Sequence, residues 1–437
     1  MRKKGWLASF CLFLAFASVA SGCAKSSDNT PASSESSPAQ SASASETNST
    51  PAEKDVDLKI INFRVEDKAF YDQINQAFQE KYPHIHVKYD VVATKDYQQL
   101  KTARTAADDV DLIASGGESE LADPNHRDLL ADMNGQPFLE HYIPDALTAG
   151  QYEGKQLFLP TSSTTLVTFY NKKVFNDLGL QVPTTWDDFV KVLEQIKAAG
   201  IDPIMFGGKD QWPVNMILDE LEAGIVRSQD KDFYLKMRTE ETKFDPAWVE
   251  VYQKLGVLGK FFIKNAVGLD YGQAPGLFAQ GKAAIMIDGS WSLAQIEDAK
   301  PEFEVGAFLL PGSNDPAANG IATTKFGFGW TVYKNSKNKD AAMKYLEFLS
   351  ETENYKKYND MVRMLPTQKD IQNASPIAQE ISVLLAKQMP IWENLIIPGA
   401  KYNYTQYGME VILGSLTPEE AAKKMQADLI GSKDSWK

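Results

Sequence analysis

Past residue 55 the apolar positions switch repeatedly between two spacings. Leu58 to Phe63 is a short apolar run of the kind a buried strand needs. From Asp67 to Tyr82 the residues Phe70, Ile74 and Phe78 recur every four positions, one stripe of a helix, and Pro83 closes it. Ile85, Val87, Tyr89 and Val91 then alternate with polar residues as one face of a strand. Val110 to Ala114 is another apolar strand, running into Ser115-Gly116-Gly117. The second half repeats this grammar. Asp188 to Ala199 reads as a helix capped by Thr184 or Thr185 and stopped by Gly200, and Ile201 to Phe206 as a strand entering Gly207-Gly208. Asp245-Pro246 carries a cap and a first-turn proline. Ala283 to Ile287 is a buried strand ending in Asp288-Gly289-Ser290-Trp291, where a helix begins at about Ser290. Thr417-Pro418-Glu419-Glu420 is a capping box. Strands alternating with helices predict an α/β fold on mainly parallel sheets flanked by helices.

The first 54 residues follow neither spacing. Arg2, Lys3 and Lys4 precede a mostly apolar stretch from Trp6 to Val19, the length of a signal-peptide core and short of a membrane span. Ala20-Ser21-Gly22-Cys23 follows and resembles a bacterial lipoprotein signal, with Ala20 where Leu is commonest. The resemblance implies removal of residues 1–22 and a lipid such as palmitate on Cys23. The alternative is an ordinary secretion signal with an incidental cysteine. Residues 24–54 hold no aromatic or branched aliphatic side chain and cannot offset their ordering entropy by burial. Residues 23–54 therefore read as a flexible tether, with an end-to-end span of roughly 30 Å.

Composition narrows the chemistry. Loss of Arg2, Lys3 and Lys4 takes the formal charge from −13 to −16. So acidic a chain lacks the basic face that nucleic acid or an anionic membrane surface requires. Cys11 and Cys23 are the two cysteines, so the mature fold has neither disulfide nor nucleophilic thiol. His84 and His86 alternate on a strand, which reads as a partly solvated face in preference to a metal site. No phosphate-cradling loop with a following lysine is present. No cofactor, metal or catalysis is expected.

Four stretches together resemble the family 1, sugar-type extracellular solute-binding proteins of bacterial ABC importers, a family that includes maltose-binding protein. The first runs from Gly154-Lys155-Gln156-Leu157-Phe158-Leu159-Pro160 through Tyr170-Asn171-Lys172 to Pro183-Thr184-Thr185-Trp186. The second is Phe278-Ala279-Gln280-Gly281-Lys282 through Asp288-Gly289-Ser290-Trp291. The third is Lys337-Asn338-Lys339-Asp340-Ala341-Ala342, opening a helix to Leu349, and the fourth is Gly414-Ser415-Leu416-Thr417-Pro418-Glu419-Glu420-Ala421. The resemblance implies a two-lobed periplasmic-binding-protein-like fold of type II, with a ligand cleft between lobes. Lobe one would be residues 55–163 plus 327–369, and lobe two 164–326 plus 370–437. It also implies a lipid-anchored monomer on the outer face of the cytoplasmic membrane, which closes on a carbohydrate and delivers it to permease subunits. The long Ser-rich tether suits a Gram-positive cell.

A sugar offers hydroxyls to polar groups and apolar C–H faces to aromatic plates. Trp212, in the loop after Gly207-Gly208, and Trp291 are the expected plates, with Trp330 and Trp392 as further candidates. Asp288, Gly289 and Ser290 would offer a carboxylate and first-turn amides. In the first lobe, Arg64, Glu66 and Asp67 follow a strand, and Ser115, Gly117 and Glu118 follow another, at the carboxyl ends where ligands of open α/β sheets bind. Glu66 or Asp67 instead caps the next helix. Arg363, just before Leu365-Pro366, would reach the cleft or lie on the surface. Several plates point to an oligosaccharide, and Arg64 and Arg363 leave a uronic acid open. The rival readings are a surface-anchored glycoside-processing enzyme using paired carboxylates, and a sugar-loaded partner of a membrane kinase.

Overall fold

A computed structural model of the chain describes residues 54–117, 120, 121, 123–390 and 399–436. The signal stretch, Cys23, the tether, Glu118 and Trp392 lie outside the described residues. The first strands and helices follow the hydrophobic pattern closely: β1 Val56–Asn62, α1 Lys68–Lys81, β2 Ile85–Val91, α2 Thr94–Ala106 and β3 Leu112–Ser115. The long strand β4, Leu159–Asn171, leads to α3 Trp186–Ala198, β5 Ile204–Met205, α4 Val214–Glu222 and α5 Val249–Leu258. Then come β6 Ile285–Gly289, α6 Leu293–Asp298, β7 Val305–Phe308 and a second long strand, β8 Ala322–Val332. The chain finishes with α7 Lys339–Ser350, α8 Thr352–Val362, α9 Pro376–Leu384, β9 Gln388–Pro390, α10 Tyr404–Ile412 and α11 Pro418–Gly431.

These nine strands form one sheet in the order β2-β1-β3-β8-β4-β6-β5, with β9 on β8 and β7 on β4. β1 pairs in parallel with β2 and β3, and β5 with β6. The two long strands run antiparallel to each other, to β3 and to β6, and β9 joins β8 in parallel. β4 changes partner along its length: Leu159–Thr165 pairs with β8, and Leu166–Tyr170 pairs with β6. Its first part adjoins a core built from residues such as Leu58, Phe78, Leu112, Trp330 and Tyr345. Its second part adjoins two clusters around Phe189, Leu218, Trp248 and Ile285, and around Phe169, Phe278 and Leu293. Between Lys325 and Gly329 the β4–β8 register slips, a bulge that bends the pair.

Local chemistry explains the element ends. Thr185 Oγ1 accepts the Asp188 amide at 3.3 Å, and Asp187 and Asp188 favour the positive end of α3. Its buried stripe is Trp186, Phe189, Val192, Leu193 and Ile196. The Thr417–Glu420 box closes reciprocally, with Thr417 N–H donating to Glu420 Oε2 at 3.0 Å and Glu420 N–H to Thr417 Oγ1 at 3.2 Å. Three expected elements differ. The strand sought at Ile201 to Phe206 shrinks to Ile204–Met205, because Pro203 has no amide for the ladder. At Asp245-Pro246 the structure has a helical turn, Phe244–Ala247, interrupted by the extended angles of Asp245, φ −91 and ψ 124, ahead of proline, and the regular helix α5 follows from Val249. The segment at Ser290 opens as a 3-10 turn, Ser290–Ser292, before the short α6.

The second core buries acids. Glu222 pairs with Arg227, both almost fully enclosed, and accepts from Tyr234 Oη at 2.9 Å. Glu220 has no ion-pair partner among the described residues. Its Oε2 accepts Leu310 N–H at 3.3 Å and Thr168 Oγ1 at 3.5 Å, while Oε1 has no partner among the described residues. Burial pushes the Glu220 carboxyl up to about 8. Among the described residues no helix is long and apolar enough to cross a membrane.

A raised carboxyl pKa means the folded state holds a proton that the unfolded chain releases near 4.5. This contribution to stability is present at low pH and is lost as pH rises toward 8, at up to about 1.4 kcal/mol per pH unit. Glu220→Gln should therefore flatten the pH dependence of the denaturant midpoint between pH 5 and 8. An unchanged slope in the variant would show that Glu220 does not titrate there.

Candidate functional site

The carboxyl end of β6 passes directly into the turn that carries Trp291, and this turn lies where the two cores meet. Gly289 pairs with Leu166 of β4, and Ser290 Oγ accepts the Thr165 amide at 3.2 Å, the point at which β4 changes partner. Trp291 belongs to the second half by chain, yet it packs against the first core. Gly289 makes that ring placement feasible: a Cβ there would fall 2.1 Å from the Trp291 ring.

Asp288 is 1% exposed, and both its oxygens are occupied. Oδ1 accepts the Gly289 amide at 2.7 Å and the Tyr271 hydroxyl at 2.8 Å; Oδ2 accepts Ser292 Oγ at 2.9 Å. Burial pushes its carboxyl up to about 7, against the downward pull of these three donors. The Trp291 indole N–H donates to Tyr271 Oη at 2.6 Å, and the Trp212 ring meets Tyr271 edge-on, with centroids 4.4 Å apart. Trp212, Asp288 and Trp291 thus converge on one residue, Tyr271. Sequence reasoning missed it because it lies in the aperiodic stretch 267–273. The only cue was an aromatic between Asp270 and Gly272 in a turn-forming context.

The other candidates fall into separate groups. Arg64 is buried and grips Asp67 with two bonds, Nε to Oδ2 at 2.5 Å and Nη2 to Oδ1 at 3.0 Å. It also lies over the Phe328 ring at 5.2 Å and reaches Glu66 at 3.2 Å. Asp67 is 2% exposed and so braces this loop, whereas Glu66 is open to solvent. Ser115 is enclosed and bonds within its own loop to Gly117. Gly117, at φ +132, packs against β8, where a Cβ would come 2.6 Å from the Phe326 carbonyl. Trp330 is fully buried, edge-on to Tyr71 and Phe328, so it presents no face to a ligand in this conformation. Ser290 is likewise enclosed. Arg363 ends α8 in the left-handed region and crosses to α6: Nε lies 2.9 Å from Glu297, Nη2 donates to Asp298 at 2.8 Å, and Nη1 donates to the Ala294 carbonyl at 3.2 Å. It therefore ties the two halves together beside the β4–β8 pair. Among the described residues no three His, Cys, Asp or Glu side chains gather as a metal site.

Protonating Asp288 turns one of its oxygens into a donor and so reverses or weakens a bond to Ser292 or Tyr271, and Tyr271 links that event to Trp291. Tryptophan emission of the ligand-free protein should therefore titrate with a midpoint near 7, and the transition should vanish in Asp288→Asn and in Trp291→Phe. A transition that persists in both variants would place the titrating group elsewhere.

The profile of the bacterial extracellular solute-binding protein family matches residues 63–356. A multiple sugar-binding protein of Streptococcus mutans serotype c is 27% identical over 320 residues, 72% of this chain and 75% of that protein. A maltotriose-binding protein of Pyrococcus abyssi is 27% identical over 252 residues, 55% of this chain and 49% of that protein. Among solved structures, the RafE solute-binding protein in complex with raffinose superposes with a TM-score of 0.76 at 21% identity, over 86% of this chain and 99% of that one. A chitin oligosaccharide binding protein superposes with a TM-score of 0.75 at 23% identity, over 87% of this chain and 99% of that one. These likenesses establish the two-lobed α/β fold, and the match over residues 63–356 establishes that the chain belongs to the family of bacterial extracellular solute-binding proteins.

Proposed function

We propose that this protein is the lipid-anchored substrate-binding component of an ABC importer and that it captures a neutral oligosaccharide. The observation that carries the reading is the aromatic group Trp212, Tyr271 and Trp291, set on a buried polar scaffold at the junction of the two cores. Trp212 and Trp291 are each half-buried, as plates for sugar C–H faces would be. Lobe one takes residues 55–163 and 327–369, and lobe two takes 164–326 and 370–437. Glu66, open to solvent, accepts sugar hydroxyls from the first lobe. Closure about β4 and β8 brings the plates of one lobe to the polar loop of the other. A ligand that touches both lobes only when they are closed stabilises that state. The lipid on Cys23 keeps the globule beside its permease.

Charge narrows the ligand. Arg64 and Arg363 are the arginines that would hold a uronate, and both already hold carboxylates of the protein. A uronate would have to displace Asp67 or Glu297, whereas a neutral ring need not. The names of the relatives, a multiple sugar-binding protein and a maltotriose-binding protein, support the same class.

Calorimetry of the purified protein against neutral and uronic oligosaccharides, with chromatography of the recovered sugar, tests this reading. The expected result is saturable binding of a neutral oligosaccharide recovered intact, weakened about tenfold or more in Trp291→Ala by loss of one plate. Cleaved sugar would promote the carboxylates to catalysts, and tighter binding of uronates would overturn the charge argument.

A further inference from the structure

The hydroxyl of Tyr271 has one proton and two lone pairs. Its proton goes to Asp288 Oδ1 at 2.8 Å, one lone pair receives the Trp291 indole N–H at 2.6 Å, and Ser292 Oγ stands at 3.1 Å. Ser292 gives its own proton to Asp288 Oδ2, so the proton and one lone pair of the tyrosine are committed to the protein and Ser292 flanks the second lone pair. The rest of the residue is equally committed. Its ring edge supports Trp212, and its backbone N–H donates to Asp210 Oδ2 at 3.0 Å, tying down the loop that carries Trp212. The neighbouring Gly272 carbonyl accepts Gln295 Nε2 at 2.9 Å, which fixes the same turn to α6. Three separate segments, 210–212, 271–272 and 288–295, are therefore joined through one tyrosine.

We propose that Tyr271 is a positioning residue for ligand binding, whose hydroxyl sets the plane of Trp291 and whose ring sets that of Trp212. This rests on the reading of the two tryptophans as ligand plates. An indole held by its N–H cannot rotate about its side-chain torsions without breaking that bond, so the plates are ordered before ligand arrives. The ordering cost that a free side chain would bring to binding, of order 0.5–1.5 kcal/mol, is thereby removed. Asp288 supports the arrangement from behind by fixing the direction of the tyrosine proton.

The test has a ligand-free arm and a ligand arm. In the first, the emission of wild type minus that of Trp291→Phe isolates Trp291, and the same difference is taken in a Tyr271→Phe background. Loss of the hydrogen bond should move the Trp291 contribution to shorter wavelength, and Asp288→Asn, which weakens the acceptor holding the tyrosine proton, should move it in the same direction. An unmoved contribution in both variants overturns the proposal whatever the ligand is. In the second arm, affinities for raffinose, maltotriose and a chitin oligosaccharide are measured as a double-mutant cycle. Tyr271→Phe should weaken the bound sugar about fivefold in wild type, the worth of one hydrogen bond, and by less than about twofold once Trp291 is alanine. Equal losses in both backgrounds would mean that Tyr271 acts independently of Trp291 and would overturn the proposal. If none of the sugars binds wild type, the carbohydrate reading falls, while the emission arm still decides the role of Tyr271.

Discussion

The antiparallel pairing of β4 with β8 is the constraint on which the rest of the molecule depends. Each strand is long enough to serve two cores, and each changes neighbours partway along. Backbone pairing thus links one lobe to the other, interrupted at one bulge. The bulge between Lys325 and Gly329 falls in this pair, and the Thr165 amide beside it is bonded to Ser290, one residue before Trp291. The place where the backbone can flex and the place where the aromatic group sits are therefore the same place.

A second constraint is the handling of charge. Arg64, Arg227 and Arg363 each find carboxylates of the protein, and Asp288 finds three donors. Burying a charge without such partners would cost more than the folded state can spare. The result is that most of the charged residues near the junction face inward as scaffold. Glu66 remains directed to solvent, and the half-buried aromatic rings form the other available surface.

Much of the architecture was legible because it follows from local rules. Phe70, Ile74 and Phe78 mark a helix by spacing alone, and the Thr417 box and the Thr185 cap need no knowledge of the distant chain. The site was legible only in part. Trp212 and Trp291 could be picked out because each follows a strand and a glycine. Trp330 stood behind them as a further candidate, and its burial is decided by Tyr71 and Phe328, far from it or beside it in sequence but all within one core. Whether a carboxylate faces a ligand or a neighbouring arginine is likewise a matter of tertiary contact, as Asp67 and Glu66 show from adjacent positions. Tyr271 was invisible because its importance lies in three partners from other segments, and no periodic pattern records that.

The strand order also dictates a sequence of events during synthesis. Thr331 of β8 bonds across to Ile113 of β3, 218 positions earlier. β1, β2 and β3 emerge first, yet the edge of β3 stays without its partner until β4 to β7 and the helices among them have been made. Trp330, at the centre of the first core, arrives equally late. Contacts of such long range form slowly and leave apolar strands uncovered meanwhile. The first core therefore cannot mature from the N-terminal residues alone: the first part of the chain to be synthesised must wait for later strands and helices before it can finish folding.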